Sequence, residues 1–414
     1  MPASIRRTAT GLAWIAVFVL ALFTGSIAGA APSSSRAVLP PDIYVMNADG
    51  SGKTNLTSSR AAEDAPVWSP DGTKIAISTE LDGNWEIYVM NADGSALRRL
   101  TQNRTADDAF PDWSPDGTKI AFNTDRDGNY EIYVMNADGS GQTNLTREPQ
   151  TEDLGAAWSP NGTKIAFHSE GDIWSMNADG TGQTRLTSDQ QFDVFPDWSP
   201  DGSKIAIVGG SRETGYIDVI NADGSGRTRL TRGAHEYFPD WSPDGTKIAY
   251  VSAATGGAEV YVMNSDGSGQ TNISRDPRRD DFEPSWTPDG TRIAFASYPD
   301  TAAPEIGLAA RARQPVVRQK GVILRAYCDE ACTLRASGTI TIVGQRKKVR
   351  LKSASAKLGA PGQRVLKLAL KGAGARQVAR LLAQGRRARA TVSVSAVDPA
   401  GNVGRAKRTI TLRR

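Results

Sequence analysis

The chain has 414 residues and a formal net charge of +4, a small sum that conceals a strongly dipolar molecule. Up to residue 310 there are 24 Lys+Arg against 42 Asp+Glu, a net of −18, and from Arg311 onward 25 against 3, a net of +22. Two His and two Cys are too few for a catalytic metal cluster or a cysteine-built zinc centre, and no stacking aromatics accompany the C-terminal arginines, which speaks against a nucleic-acid partner in vivo.

In chain order, residues 1–30 read as an export signal. Arg6 and Arg7 precede an apolar run over 12–23, and Ala28-Gly-Ala30 offers a small-residue cleavage site. Twelve apolar residues are short for a bilayer span. The paired arginines raise a folded-export route, although Thr8-Ala9-Thr10 lacks the apolar pair usual in such signals. Residues 31–41 form a short linker, and no Cys follows the signal to carry a lipid.

From residue 42 the chain is repetitive. Trp-Ser-Pro-Asp-Gly or a near copy starts at Trp68, Trp113, Trp158, Trp198, Trp241 and Trp286, at spacings of 45, 45, 40, 43 and 45 residues. Asn-Ala-Asp-Gly or Asn-Ser-Asp-Gly interleaves from Asn47, Asn91, Asn136, Asn177, Asn221 and Asn264. A period near 43 residues marks a stacked-repeat architecture. In the clearest copy, Phe110-Pro-Asp-Trp113 is a short strand ended by a type I turn at Ser114-Pro-Asp-Gly117, and Lys119-Ile-Ala-Phe122 is a second strand. Glu131-Ile-Tyr-Val-Met135 is a third, and Gln142-Thr-Asn-Leu-Thr146 the fourth. The middle strands are apolar on both faces, so each sheet must be sandwiched between neighbours. Four short strands per repeat, each sheet covered on both sides, predict an all-β, six-bladed β-propeller over 42–310. Each repeat Trp, wedged between blades, would bury roughly 150–250 Å² and contribute about 4–6 kcal/mol gross.

The repeat region opens mid-unit at Asp42-Ile-Tyr-Val-Met46, a third strand, and ends near Arg292-Ile-Ala-Phe295, a second strand. The two half-blades are expected to pair and close the ring. Glu305-Ile-Gly-Leu308 resembles a weak third strand that would compete with Ile43–Met46 for the same slot, and Pro304 and Gly307 make it a poor rival.

Pro111-Asp-Trp-Ser-Pro-Asp-Gly-Thr-Lys-Ile-Ala-Phe122 followed by Glu131-Ile-Tyr-Val-Met-Asn-Ala-Asp-Gly139 resembles the repeat of TolB-type, WD-like β-propellers, a likeness that spans about Asp42 to Ser297. The resemblance implies fold rather than activity, since such propellers serve in periplasmic TolB, in gating domains of prolyl-oligopeptidase-type peptidases and in other secreted proteins. Residues 31–41 leave no room for the α/β domain that precedes the propeller in TolB, so a role in the Tol system itself is not expected. No Gly-x-Ser-x-Gly elbow is present, as a peptidase partner domain would need.

Five residues before each repeat Trp stands an acid: Glu63, Asp108, Asp153, Asp193, Glu236 and Asp281. The resemblance makes the strand beginning there the innermost, so the six carboxylates are expected on one circle at a channel mouth, with Asp107, Glu152 and Asp280 beside them. Two readings stand. Converging carboxylates would attract a divalent cation or a basic ligand; alternatively each accepts backbone N–H bonds in the loop entering its strand. Asp125 to Asn129 superficially resembles a calcium loop but lacks the twelfth-position Glu and reads as a hairpin turn. His168 and His235 lie in different blades, and His235 falls beside the acidic circle.

Residues 311–414 change composition and alternate apolar and polar residues over 321–327, 333–343, 347–354, 364–370, 389–397 and 408–412, which predicts a small basic β-sandwich. One amphipathic helix is expected over 377–384. Ala396-Val-Asp-Pro-Ala-Gly-Asn402 before the last strand resembles immunoglobulin-like or fibronectin-like modules of bacterial surface proteins. Cys328 and Cys332 are expected to form a disulfide in an oxidising compartment. The resulting expectation is an exported, monomeric, non-catalytic protein without a resident cofactor. Its propeller face would hold a protein or peptide. Arg346-Lys347-Lys348 and Arg386-Arg387 would contact anionic wall polymer or lipid head groups. The alternative is a gating or accessory module of an extracytoplasmic hydrolase or transport system, or a glycan-acting enzyme.

Overall fold

The computed structural model describes residues 40–189, 191–211, 214–233, 235–254, 257–276, 278–299, 306–310, 313–328, 331–345, 348–359 and 362–413. The expected signal segment 1–30, and Arg346 and Lys347, lie outside them.

Six four-stranded antiparallel sheets form the propeller. Blade 1 is Glu63–Trp68, Lys74–Thr79, Glu86–Asn91 and Arg98–Arg99; blade 2 is Asp108–Trp113, Lys119–Thr124, Glu131–Asn136 and Thr143–Asn144; blade 3 is Asp153–Trp158, Lys164–Ser169, Asp172–Asn177 and Thr184–Arg185. Blade 4 is Val194–Trp198, Lys204–Ser211, Thr214–Asn221 and Thr228–Arg229; blade 5 is Glu236–Trp241, Lys247–Ser252, Glu259–Asn264 and Thr271–Asn272. Blade 6 joins both ends of the repeat region, because Asp42–Asn47 and Thr54–Asn55 add to Arg292–Pro299 and Arg279–Trp286. The seam runs in register from Asp42 opposite Ser297 to Asn47 opposite Arg292. First strands lie against first strands around the ring, and Arg279–Trp286 returns to Glu63–Trp68, so the ring is closed and the first strands are innermost.

The repeat phrases have local physical causes. At Ser114-Pro-Asp-Gly117 the Ser114 hydroxyl donates to Asp116 Oδ1 at 2.6 Å and the Thr118 N–H donates to the same oxygen at 3.0 Å. Those donors hold the Asp116 carboxyl below its usual value. Gly139 of the second phrase has φ +92°, and a Cβ there would lie 2.6 Å from the Leu100 carbonyl oxygen of blade 1. The equivalent glycine meets the preceding blade's backbone in every repeat, including Gly50 against Ile273 and Gly94 against Leu56 across the closed ring. Trp113 packs between Ile87, Val89 and Leu100 of blade 1 and Ile120, Phe122 and Met135 of its own blade, which is the wedge expected of it. Trp68 does the same against Ile43, Val45 and Ala296 of the seam blade.

The chain divides after Pro299 rather than at residue 310, where composition places the break. Ile306–Ala309 does not contend for the blade 6 slot. It pairs with Gly321–Cys328 in the second unit, and Ile306 and Leu308 pack on that unit's core. The remaining elements are Arg313–Pro315, Cys332–Ile342, Val349–Leu358, Gly362–Ala369, helix α1 over Gly372–Ala383, Ala388–Val397 and Val403–Arg413. Where two opposed layers were expected, Val349–Leu358 pairs with Cys332–Ile342 on one side and, through Lys352 opposite Ala369, with Gly362–Ala369 on the other. One eight-stranded sheet therefore curls around a single core of Leu324, Leu334, Ile340, Leu368, Val392 and their neighbours. Helix α1 begins five residues earlier than its apolar stripe, through Gly372 and Gly374, and buries Val378. Among the described residues no helix is long and apolar enough to cross a membrane.

Candidate functional site: the central channel

Counting each inner strand from the acid five residues before its repeat Trp, the third and fifth residues build the channel wall. Each inner strand breaks its pairing register after its second residue, and the third takes positive φ: Ala65 48°, Phe110 52°, Gly155 65°, Phe195 52°, Phe238 53° and Glu283 53°. Non-glycine residues in this region cost roughly 1–2 kcal/mol each. The fourth residue is Pro in five blades, Pro66, Pro111, Pro196, Pro239 and Pro284, and Pro has no N–H to forfeit at a bulge. The bulge turns three phenylalanines to the axis. Phe195 lies 4.4 Å from Phe238 and 6.5 Å from Phe110, contacts between rings of blades 2, 4 and 5 that only the centre of the wheel permits. An aromatic plug fills that level.

His168 supports the plug. Its ring stands 5.2 Å from Phe195 edge-on, and Nδ1 accepts the Phe195 N–H at 3.4 Å. Burial lowers its pKa to about 3, so it is neutral at any physiological pH. His235 precedes the inner strand of blade 5 at φ +75°, and its carbonyl accepts the Ala253 N–H.

The fifth position carries Asp112, Asp197 and Asp240. Each Oδ2 accepts, at 2.7 Å, the backbone N–H of the next blade's repeat Trp: Trp158, Trp241 and Trp286 respectively. These carboxyls line the channel, partly reached by solvent yet enclosed by protein. Burial pushes Asp112 up to about 7 and Asp240 up to about 8, and burial together with the nearby Asp240 pushes Asp197 well up. At the seam, Glu283 Oε2 accepts the Ala65 N–H at 2.7 Å and Tyr298 donates its hydroxyl to Asp64. Burial first, then the adjacent Asp64 carboxylate, raises Glu283 well above the usual range.

The six acids singled out from the sequence occupy equivalent positions but do not open into a mouth. Glu63, Asp108, Asp153, Asp193, Glu236 and Asp281 are all at most 3% exposed. Three are neutralised from within: Asp108 by Arg126 at 3.0 Å, Asp193 by Arg227 at 2.7 Å and Asp281 by Lys53 at 2.9 Å. Thr151 donates to Asp153 at 3.3 Å, and Ser297 donates to Asp281. Burial raises the carboxyls of Glu63, Asp153 and Glu236, and outweighs Arg126 at Asp108 and Lys53 at Asp281. Their neighbours act as interblade staples. Asp107 Oδ1 accepts the Trp85 N–H at 3.0 Å, Glu152 Oε2 the Tyr130 N–H at 2.6 Å and Asp280 Oδ1 the Ala258 N–H at 2.8 Å. Among the described residues no group of three His, Cys, Asp or Glu side chains is placed to hold a metal ion.

Sequence reading missed the Asp112, Asp197 and Asp240 set, whose signal was the Pro-Asp-Trp order in three of six repeats. In the second unit Cys328 and Cys332 are joined as a disulfide. Lys348 lies just ahead of Val349–Leu358, and Arg386 and Arg387 lie between α1 and Ala388–Val397.

The family model for the TolB beta propeller domain matches residues 37–229 and, overlapping them, 172–306. Among solved structures the chain is similar to a TolB-type protein from Agrobacterium tumefaciens, at 24% identity and TM-score 0.53, over 63% of this chain and 98% of that one. It is also similar to TolB from Acinetobacter baumannii, at 23% identity and TM-score 0.49, over 63% of this chain and 64% of that one. An oligogalacturonate lyase in complex with manganese follows at 16% identity and TM-score 0.43, over 63% and 97%. The first likeness shows the fold alone, and the other two superpose too loosely to bear on function. No curated protein matches the chain.

Proposed function

This chain belongs to the TolB β-propeller family, and from that premise we propose that it is an exported, non-catalytic binding protein that stations a rigid propeller at the cell envelope. The propeller presents its channel face to a protein or peptide, and the basic second unit holds anionic envelope material. The observation that carries the non-catalytic reading is how the channel's polar groups are used. Asp112, Asp197 and Asp240 are tied to backbone N–H groups, His168 is held neutral beneath Phe195, and Arg126, Arg227 and Lys53 are spent on buried carboxylates. Of these groups the three aspartates line the channel, each with one oxygen already committed to the next blade's backbone, an interblade tie rather than a paired acid and base. The Cys328–Cys332 disulfide supports an oxidising compartment. The net of +22 from Arg311 onward supports an anionic partner.

The test is retention of the full chain on isolated envelope material across a salt series. Retention that weakens steadily between about 50 and 300 mM salt is expected of an electrostatic hold, since screening lengths shrink to about 8 Å near physiological ionic strength. Retention indifferent to salt, or none at all, removes the envelope-binding reading.

A further inference from the structure

We propose that the outward face of Cys332–Ile342, Ala388–Val397, Val403–Arg413 and the adjoining Val349–Leu358 is a docking surface for a linear phosphodiester polymer. This rests on the reading above that the basic unit holds anionic envelope material, and names where and what chemistry.

The face follows from strand alternation. Leu334, Ala336, Ile340, Val392, Val394 and Ile410 turn into the core, so the residues between them turn out. Across three strands the outward positions align as Arg335–Ser395–Arg405, Ser337–Ser393–Lys407, Thr339–Thr391–Thr409 and Thr341–Arg389–Thr411. On the fourth strand Lys357 stands opposite Thr333 and Arg350 opposite Thr339. Arg335, Arg350, Lys357, Arg389, Arg405 and Lys407 are all exposed. With strands about 4.8 Å apart, Arg335 and Arg405 stand ~10 Å from one another across Ser395, and Arg405 and Lys407 are ~7 Å apart along their strand.

The composition of this surface separates it from an ordinary solvated face. Every outward position named in those rows is Arg, Lys, Ser or Thr, and none is acidic. Seven propeller cations pair with carboxylates, and among the described residues every ion pair lies in the propeller and none on this sheet. Uncompensated cations on one face repel one another until an external anion arrives. Guanidinium groups interleaved with hydroxyls suit a phosphate–polyol chain, because Arg and Lys take the phosphate oxygens while Ser and Thr reach phosphate and hydroxyl oxygens alike. A membrane would call for an apolar or aromatic anchor, and the face carries only Val397 and Val403 at its rim.

Binding of fluorescently labelled poly(glycerol phosphate) to the full chain, followed by anisotropy across a salt series, tests the assignment. Two variants remove equal charge: Arg335→Ser/Arg389→Ser/Arg405→Ser on the face, and Arg325→Ser/Lys367→Ser/Arg376→Ser off it, on Gly321–Cys328, Gly362–Ala369 and α1, each checked for an unchanged circular dichroism spectrum. The face variant is expected to bind at least tenfold more weakly at low salt and to flatten the slope of log K against log salt by about 2, at roughly 0.7 for each phosphate no longer neutralised. The off-face variant should stay within about twofold. Equal losses in both variants overturn the face and leave a general envelope attraction standing. Native chain that ignores the polymer but binds phosphatidylglycerol vesicles overturns the polymer in favour of lipid. Native chain that binds neither, and is not retained by envelope material, overturns this inference and the functional reading together.

Discussion

Replacing Asp112 by Asn should make the propeller's stability less sensitive to pH. The Asp112 carboxyl is pushed up to about 7 in the folded chain, chiefly by burial, while a carboxyl in the unfolded chain titrates near 3.8. Below about pH 4 both states hold the proton and folding is indifferent to it. Between about pH 4 and 7 the unfolded chain releases the proton and the folded chain retains it, so stability falls as pH rises and stays lower above that window. At about 1.4 kcal/mol per pH unit the gap corresponds to ~4 kcal/mol at full weight. Solvent reaches part of this side chain within the channel, which brings the expected effect to about 2 kcal/mol. The asparagine side chain of the Asp112→Asn variant keeps an acceptor for the Trp158 N–H at the place where Oδ2 now receives it at 2.7 Å, and it does not titrate. Urea unfolding followed by tryptophan fluorescence reports the propeller, because all nine Trp precede residue 287. With a slope near 2–3 kcal/mol/M, the native midpoint should fall between pH 5 and 8 by about 0.4–0.7 M more than the variant's. Midpoints of native and Asp112→Asn that run parallel over that range would refute the buried-carboxyl account.

Two further substitutions probe the interblade frame. Trp68→Ala removes a wedge that is 5% exposed between the seam blade and blade 1, and should lower stability by about 3–5 kcal/mol in the same urea assay; a loss below about 1 kcal/mol would mean that the tryptophans do not carry the packing between sheets. Arg227→Ala strands the buried Asp193, which it holds at 2.7 Å, while Asp218 keeps Arg229 at 3.0 Å, and should cost about 3–5 kcal/mol at pH 7. A loss below about 1 kcal/mol would mean that the pair contributes no more than an exposed ion pair.

Blade number, strand order and ring closure were legible because each rests on local chemistry repeated six times: Ser, Pro, Asp and Gly at one turn, Asn, Asp and Gly at another, and two-faced apolar strands between. The channel was legible only in outline. An acid at one repeat position shows that six carboxylates share a circle, but not whether they face water or the neighbouring blade, because Arg126, Arg227 and Lys53 arrive from elsewhere in the chain. The bulge had a signal in the Pro that precedes Asp112, Asp197 and Asp240, and reading Phe110 to Trp113 as a plain strand passed over it. In the second unit, runs such as Arg386-Arg387 draw the eye, whereas a charged face built by alternation spreads its residues thinly, and only the register of Cys332–Ile342 with Ala388–Val397 and Val403–Arg413 assembles Arg335, Arg389 and Arg405 on one surface. Helix α1 began early because Gly372 and Gly374 weaken a helix signal without preventing a helix that packs on a core.

The seam in blade 6 sets an order of events during synthesis. Asp42 meets Ser297 only after roughly 250 intervening residues have been made, and contacts of such sequence separation form late and slowly. Until then Ile43, Val45 and Met46, each buried in the finished wheel, have no sheet to join. The elongating chain therefore carries leading strands that stay adhesive until the last repeat emerges, and a chaperone able to mask a single apolar edge would be the natural companion of its maturation.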